Sequence, residues 1–247
     1  RGSCDDSFSR LMAAGIAPDH LYDAVCGLQI ELVLTAHPTE VARRRIVQKH
    51  NRFARALARR GRPDLTLIER EELLADLRRE VESAWATSEV REERPSPLDE
   101  VRSGLIVFEQ SLWEAVPRFG RALDRALRVS TSRGLPVDAA PLRFGSWIGG
   151  DRDDNPNVTP DVTRRACWLS RWAAADLYLD EIDALRDELS LEQASPELSA
   201  RAGDAGEPYR ELLRGVRARM RATRDWIESQ LQRDEDLPSS SDVYSDP

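Results

Sequence analysis

Only two stretches of this 247-residue chain read as β-strands, and they stand among long runs of helical spacing. The first, LQIELVLTA at residues 28–36, concentrates Leu, Ile and Val and stops just before a proline; the second is LRFGSWIGG at 142–150. Such runs are usually parallel strands buried by helices. Two strands cannot cover both edges of a sheet of that kind. Further strands are therefore expected from chain outside this sequence. The ends fit the same expectation: the chain opens at Arg1 and stops within LPSSSDVYSDP, as an interior piece of a longer protein would.

Elsewhere the pattern is helical. Asp6 or Ser7 can cap a short helix through Met12 that Gly15 ends, and Pro18 opens another through Val25. Thr39 is placed to cap a third, with Ile46, Phe53 and Leu57 on one face, before Gly61 and Pro63 break it. A charged amphipathic helix is expected from Thr66 to about Glu89, and RPSPLDE reads as a turn. Glu100 to Val129 reads as one long helix or two, with Leu105, Phe108, Leu112, Val116 and Phe119 at helical spacing. Thr159 and Pro160 start a long helix to about Leu189; EQASPELSARAGDAGEP reads as a loop, and Tyr209 to Leu231 as a final helix. The sum is a mostly α-helical fold with a few short parallel strands, a single partial domain over 1–247.

A formal net charge of -8 argues against nucleic acid or an anionic membrane as the main partner. No apolar run approaches the ~20 residues that a membrane helix needs, and no signal-peptide pattern is present. Cys4, Cys26 and Cys167 have no paired spacing, which fits a reducing, cytoplasmic setting and gives no zinc site. Lys49 is the sole lysine, so chemistry that needs another must find it elsewhere.

Two places carry chemistry. His37 stands where a strand ends and a helix begins, the edge at which reactive groups gather in parallel α/β folds. Its imidazole titrates near neutrality and can move a proton either way, and Pro38 stiffens the approach. Arg43, Arg44 and Arg45 follow, and grouped positive charge near a helix start is unfavourable unless an anion shares the space. The alternative is a structural histidine with arginines paired to nearby acids, and spacing leaves both open. The second place is FGSWIGGDRDDNPNVTP. Gly149 and Gly150 allow a sharp turn or close approach to a ligand, and Asp151, Arg152, Asp153 and Asn155 present polar groups at a strand end. A polar turn held by its own Asp–Arg bonds is the alternative. Pro156 and Val162 occupy positions where a calcium loop needs glycine and glutamate, so calcium is rejected. His20 and His50 lack ligand spacing and are expected to be structural or to face solvent.

LTAHPTEVARR, RPSPLDEVRSGLIVFEQSLWEAVP and FGSWIGGDRDDNPNVT, in this order, resemble phosphoenolpyruvate carboxylases along essentially the whole chain. The resemblance implies condensation of phosphoenolpyruvate with bicarbonate to oxaloacetate and phosphate, with Mg²⁺ or Mn²⁺. It implies a helix-rich α/β barrel of the TIM type, incomplete in this chain, and a homo-oligomer, usually a tetramer. His37 falls on the family's catalytic histidine and Trp113 on a tryptophan lining the pocket for CO2. Arg152 lies in a segment near the active site and is taken as substrate-binding. Arg43 and Arg44 are assigned, by inference from charge, to electrostatic support of the anionic intermediates. Metal-binding carboxylates, a catalytic lysine and a phosphate loop are expected in the remainder of the enzyme chain. The family has glycine where this chain has Asp154, and aspartate tolerates a left-handed backbone better than most residues. A purely structural helical scaffold is the competing reading.

Overall fold

A computed structural model describes residues 2–35, 44–87, 95–153, 155–203, 205–232 and 243–244, with only the backbone of Arg44, Arg45 and Val47. The elements run α1 Cys4–Ala13, α2 Pro18–Cys26, β1 Ile30–Leu34, α3 Arg44–Arg60, α4 Leu67–Trp85 and α5 Pro97–Val107. A π-helical turn, Phe108–Leu112, leads into α6 Trp113–Thr131; β2 Leu142–Ser146, α7 Pro160–Glu188, α8 Pro196–Ala202 and α9 Pro208–Gln232 complete them. Among the described residues the fold is thus mostly helical with two short strands.

Several boundaries differ from expectation for local reasons. The first helix is capped by Ser3, whose Oγ accepts the Asp6 N–H, so Asp6 lies inside it. RPSPLDE, expected as a turn, holds a helix start in its described residues instead: Ser96 and Asp99 form a capping box, and Pro97 takes the first helical position. The expected loop after α7 contains α8, begun by Ser195, whose Oγ accepts the Leu198 N–H, with Pro196 at the first helical position. Thr39, the expected cap of α3, lies outside the described residues. Thr66, by contrast, caps α4 in a full capping box with Glu69.

The strands pair in parallel, from Ile30 opposite Leu142 to Leu34 opposite Ser146. The buried strand expected from LQIELVLTA is not found within this chain: Ile30, Leu32 and Val33 are each more than 40% exposed. Each strand has one strand neighbour among the described residues, and helices cover only part of the pair, as where Phe108 meets Phe144 edge-to-face at 5.2 Å.

Two cores organise the helices. Phe8, Leu21 and Val25 close on Leu123, Ala126 and Leu127, joining α1 and α2 to the distal end of α6. Val101, Ala166 and Leu169 join α5 to α7 and hold Ile148 against them. Arg217 pairs with Asp183 and Arg224 with Asp176, so the partners run in opposite senses and α9 lies antiparallel to α7. Arg217 and, more weakly, Arg186 hold the Asp183 carboxyl below its usual range. Lys49 Nζ donates to the Ser83 carbonyl at 2.7 Å, a structural tie between α3 and α4.

Candidate functional site

Beyond the C-terminal ends of the two strands lies a cavity of about 500 Å³. Leu34, Phe144 and Ser146 close its sheet side; Val101, Gly104 and Phe108 form one flank. The facing flank is a row of mostly small α7 side chains, Ala166, Cys167, Ser170, Ala173, Ala174 and Leu177, at helical spacing. No charged side chain among the described residues lines this space. It therefore favours a small neutral molecule over a charged one.

The Gly149 turn fixes how the loop enters. Its φ is +77°, and a Cβ there would stand 2.8 Å from Val101 Cγ2 and 2.9 Å from Ala166 Cβ. A side chain is excluded twice over, by the dihedral and by the second core. Gly150 has neither restriction, its nearest neighbour being the Trp147 carbonyl at 3.8 Å. Beyond it, the Asp153 N–H donates to Asp151 Oδ1 and the Asn157 N–H to Asn155 Oδ1, each at 3.1 Å. These Asx turns, rather than Asp–Arg pairs, hold the described part of the loop. Arg152 is exposed on it, and Trp147 is 60% exposed.

Trp113 reaches the cavity because of the π turn. The stripe formed by Val101, Leu105 and Phe108 would continue at Leu112 in an unbroken α-helix. Here the Trp113 N–H bonds the Phe108 carbonyl five residues back, and the next residue over the cavity is Trp113. Pro117 has no N–H for the Trp113 carbonyl, so the helix is already weakened where the wide turn ends. The Trp113 indole N–H donates to Glu181 Oε1 at 3.0 Å, and its ring meets Tyr178 edge-to-face at 4.9 Å.

The structure thus brings Trp113 and the Gly149 turn to one cavity, with Arg152 on the adjoining loop. His37, Pro38, Arg43 and Asp154 lie outside the described residues, and Arg44 is the first residue of α3 with its side chain undescribed. Sequence reasoning missed the α7 face. Its signal is the recurrence of Ala, Cys and Ser at positions 166, 167, 170, 173 and 174. Among the described residues no three His, Cys, Asp or Glu side chains converge as metal ligands, so these residues do not fit a resident Mg²⁺ or Mn²⁺. No described helix is long and apolar enough to cross a membrane.

An apolar cavity at the ends of parallel strands, walled by helices and entered by a glycine turn, is the kind of space in which helix-covered parallel strands bind small ligands. The sequence pattern of one family, phosphoenolpyruvate carboxylase, matches residues 1–247, and the chain belongs to that family. It is 52% identical over 230 residues to a phosphoenolpyruvate carboxylase of Ectopseudomonas mendocina, covering 93% of this chain and 26% of that protein. The corresponding enzyme of Pseudomonas aeruginosa is 52% identical over 227 residues, with 92% and 26% covered. That of Marinobacter nauticus is 49% identical over 230 residues, with 93% and 26% covered. The chain spans about a quarter of the length of these relatives.

Proposed function

We propose that the chain forms one side of the active site of a longer phosphoenolpyruvate carboxylase, a cytoplasmic homo-oligomer built on a helix-rich α/β barrel. Bicarbonate attacks the phosphorus of phosphoenolpyruvate, the enol C–O–P link breaks on the phosphorus side, and carboxyphosphate and the pyruvate enolate result. His37 takes the proton of carboxyphosphate, which divides into CO2 and phosphate. CO2 stays in the apolar space beside Trp113 until the enolate carbon attacks it and the new carbon–carbon bond gives oxaloacetate. Arg43 and Arg44 offset the negative charge of these species, and Arg152 adds a cation at the loop. The divalent metal is held by residues beyond this chain, and no step above passes through it.

The observation that carries this reading is the uncharged cavity, which contains Trp113 and, through Leu34, lies three residues before His37 in the chain. Neutral CO2 suits such a lining, whereas phosphoenolpyruvate and bicarbonate need cations that the described lining lacks.

His37→Asn in the complete enzyme tests it. Asparagine keeps some hydrogen bonding and cannot carry a proton near neutral pH. Bicarbonate-dependent phosphate release should continue while oxaloacetate falls by at least ~10²-fold, pyruvate taking its place. Equal loss of phosphate and oxaloacetate would move His37 to phosphoryl transfer or earlier. Undiminished oxaloacetate would end its catalytic role.

A further inference from the structure

Trp113 is held in place from α7. Ala174 and Leu177 line the cavity, and Tyr178 and Glu181 follow each of them by four residues, so all four lie along neighbouring tracks of one helix face. Tyr178 sets the tilt of the indole, with 83° between the ring planes. Glu181 accepts the indole N–H at 3.0 Å while standing outside the cavity lining. The only polar atom of the tryptophan ring is thereby engaged away from the apolar space. Glu181 is exposed, so without it the N–H would meet solvent at that position and the indole would lose the tie that holds its ring against α7. A carboxylate holds such a donor more strongly than a neutral oxygen does.

We infer that Glu181 is a positioning residue for the carboxylation step: by accepting the Trp113 N–H it holds the indole as a dry wall of the cavity. The inference rests on the reading of Trp113 as the wall beside CO2. With the wall loosened, CO2 escapes or water enters before the enolate can attack. The enolate then takes a proton and leaves as pyruvate, while phosphate has already formed with the breakdown of carboxyphosphate. The consequence is uncoupling, a fall in oxaloacetate made per phosphate released.

The experiment compares Glu181→Ala, Glu181→Gln and Trp113→Leu in the complete enzyme, with phosphate, pyruvate and oxaloacetate measured in parallel. Glu181→Ala should lower the oxaloacetate-to-phosphate ratio by about tenfold, the scale of one charge-assisted hydrogen bond, with pyruvate making up the difference. Glu181→Gln keeps a neutral acceptor oxygen and should fall between wild type and the Ala variant. A merely structural role for Glu181 would reduce all products together and leave the ratio unchanged, and that result overturns the inference. So does a Gln variant as uncoupled as the Ala variant, since an acceptor alone would then be insufficient. If Trp113→Leu uncouples the enzyme and Glu181→Ala does not, the CO2 wall stands and the role of Glu181 falls. If Trp113→Leu leaves the ratio unchanged, the wall itself is wrong and the inference falls with it.

Discussion

Gly149→Ala isolates the contact that seats the loop at the cavity. The new methyl group would stand 2.8 Å from Val101 Cγ2 and 2.9 Å from Ala166 Cβ. Both neighbours are buried, at 5% and 7% exposure, and packed in the core between α5 and α7, although each also borders the cavity. Two penalties combine: roughly 1–2 kcal/mol for a side chain in the left-handed region and roughly 1–3 kcal/mol for overpacking. The expected destabilisation is about 2–5 kcal/mol, which for a chain of this length corresponds to a melting temperature lower by about 4–20 °C. Gly150→Ala is the matched control, with its nearest neighbour at 3.8 Å and no positive φ. It should move stability by less than about 1 kcal/mol, because only unfolded-chain entropy changes. Thermal unfolding of the two variants, followed by far-UV circular dichroism, reads the difference directly. Equal shifts for both would refute the steric argument. So would strict additivity when Val101→Ala is combined with Gly149→Ala, because removing Cγ2 should relieve part of the clash.

Arg43→Gln and Arg44→Gln, made in the complete enzyme, should lower kcat/KM while changing stability by less than ~0.5 kcal/mol; a falling melting temperature with unchanged kinetics would assign both to structure instead. Asp183 should make unfolding acid-sensitive. Its carboxyl is held below the usual range chiefly by hydrogen bonds from Arg217, so its contribution is present above an unfolded pKa of about 3.9 and is lost as pH falls through the folded value. Asp183→Asn should therefore show a shallower decline in urea midpoint than wild type between about pH 5 and pH 2, and parallel curves would rule this out.

Elements whose starts carry a cap and a proline were legible where the cap was weighed as a cap. Thr159–Pro160 gave the right start for α7. Ser96–Pro97 and Ser195–Pro196 carry the same signal, yet their proline-rich surroundings also read as turn and loop. The expected stripe of Leu105, Phe108, Leu112, Val116 and Phe119 loses its phase at residue 108. A π turn adds one residue to the winding without changing the local composition that periodicity reads. Trp113 was reached through family resemblance, whereas Glu181 was not reached at all, since a hydrogen bond across 68 positions leaves no local trace. The exposed β1 reflects another limit: apolar composition reports what a strand can bury, and the partner that buries it need not be nearby in the sequence.

The build of α7 also bears on how this region can change over evolutionary time. Its row from Ala166 to Leu177 is limited in volume by the cavity, and Asp176 and Asp183 are limited by their arginines on α9. Trp168 meets Trp226 edge-to-face at 5.1 Å, while Tyr178 and Glu181 answer to Trp113. Nearly every turn between Thr163 and Asp183 thus serves a neighbour, so substitutions are acceptable there mostly in compensated pairs. On α4, by contrast, Leu67, Ile68 and Trp85 each stand at least 70% exposed and serve no neighbour among the described residues.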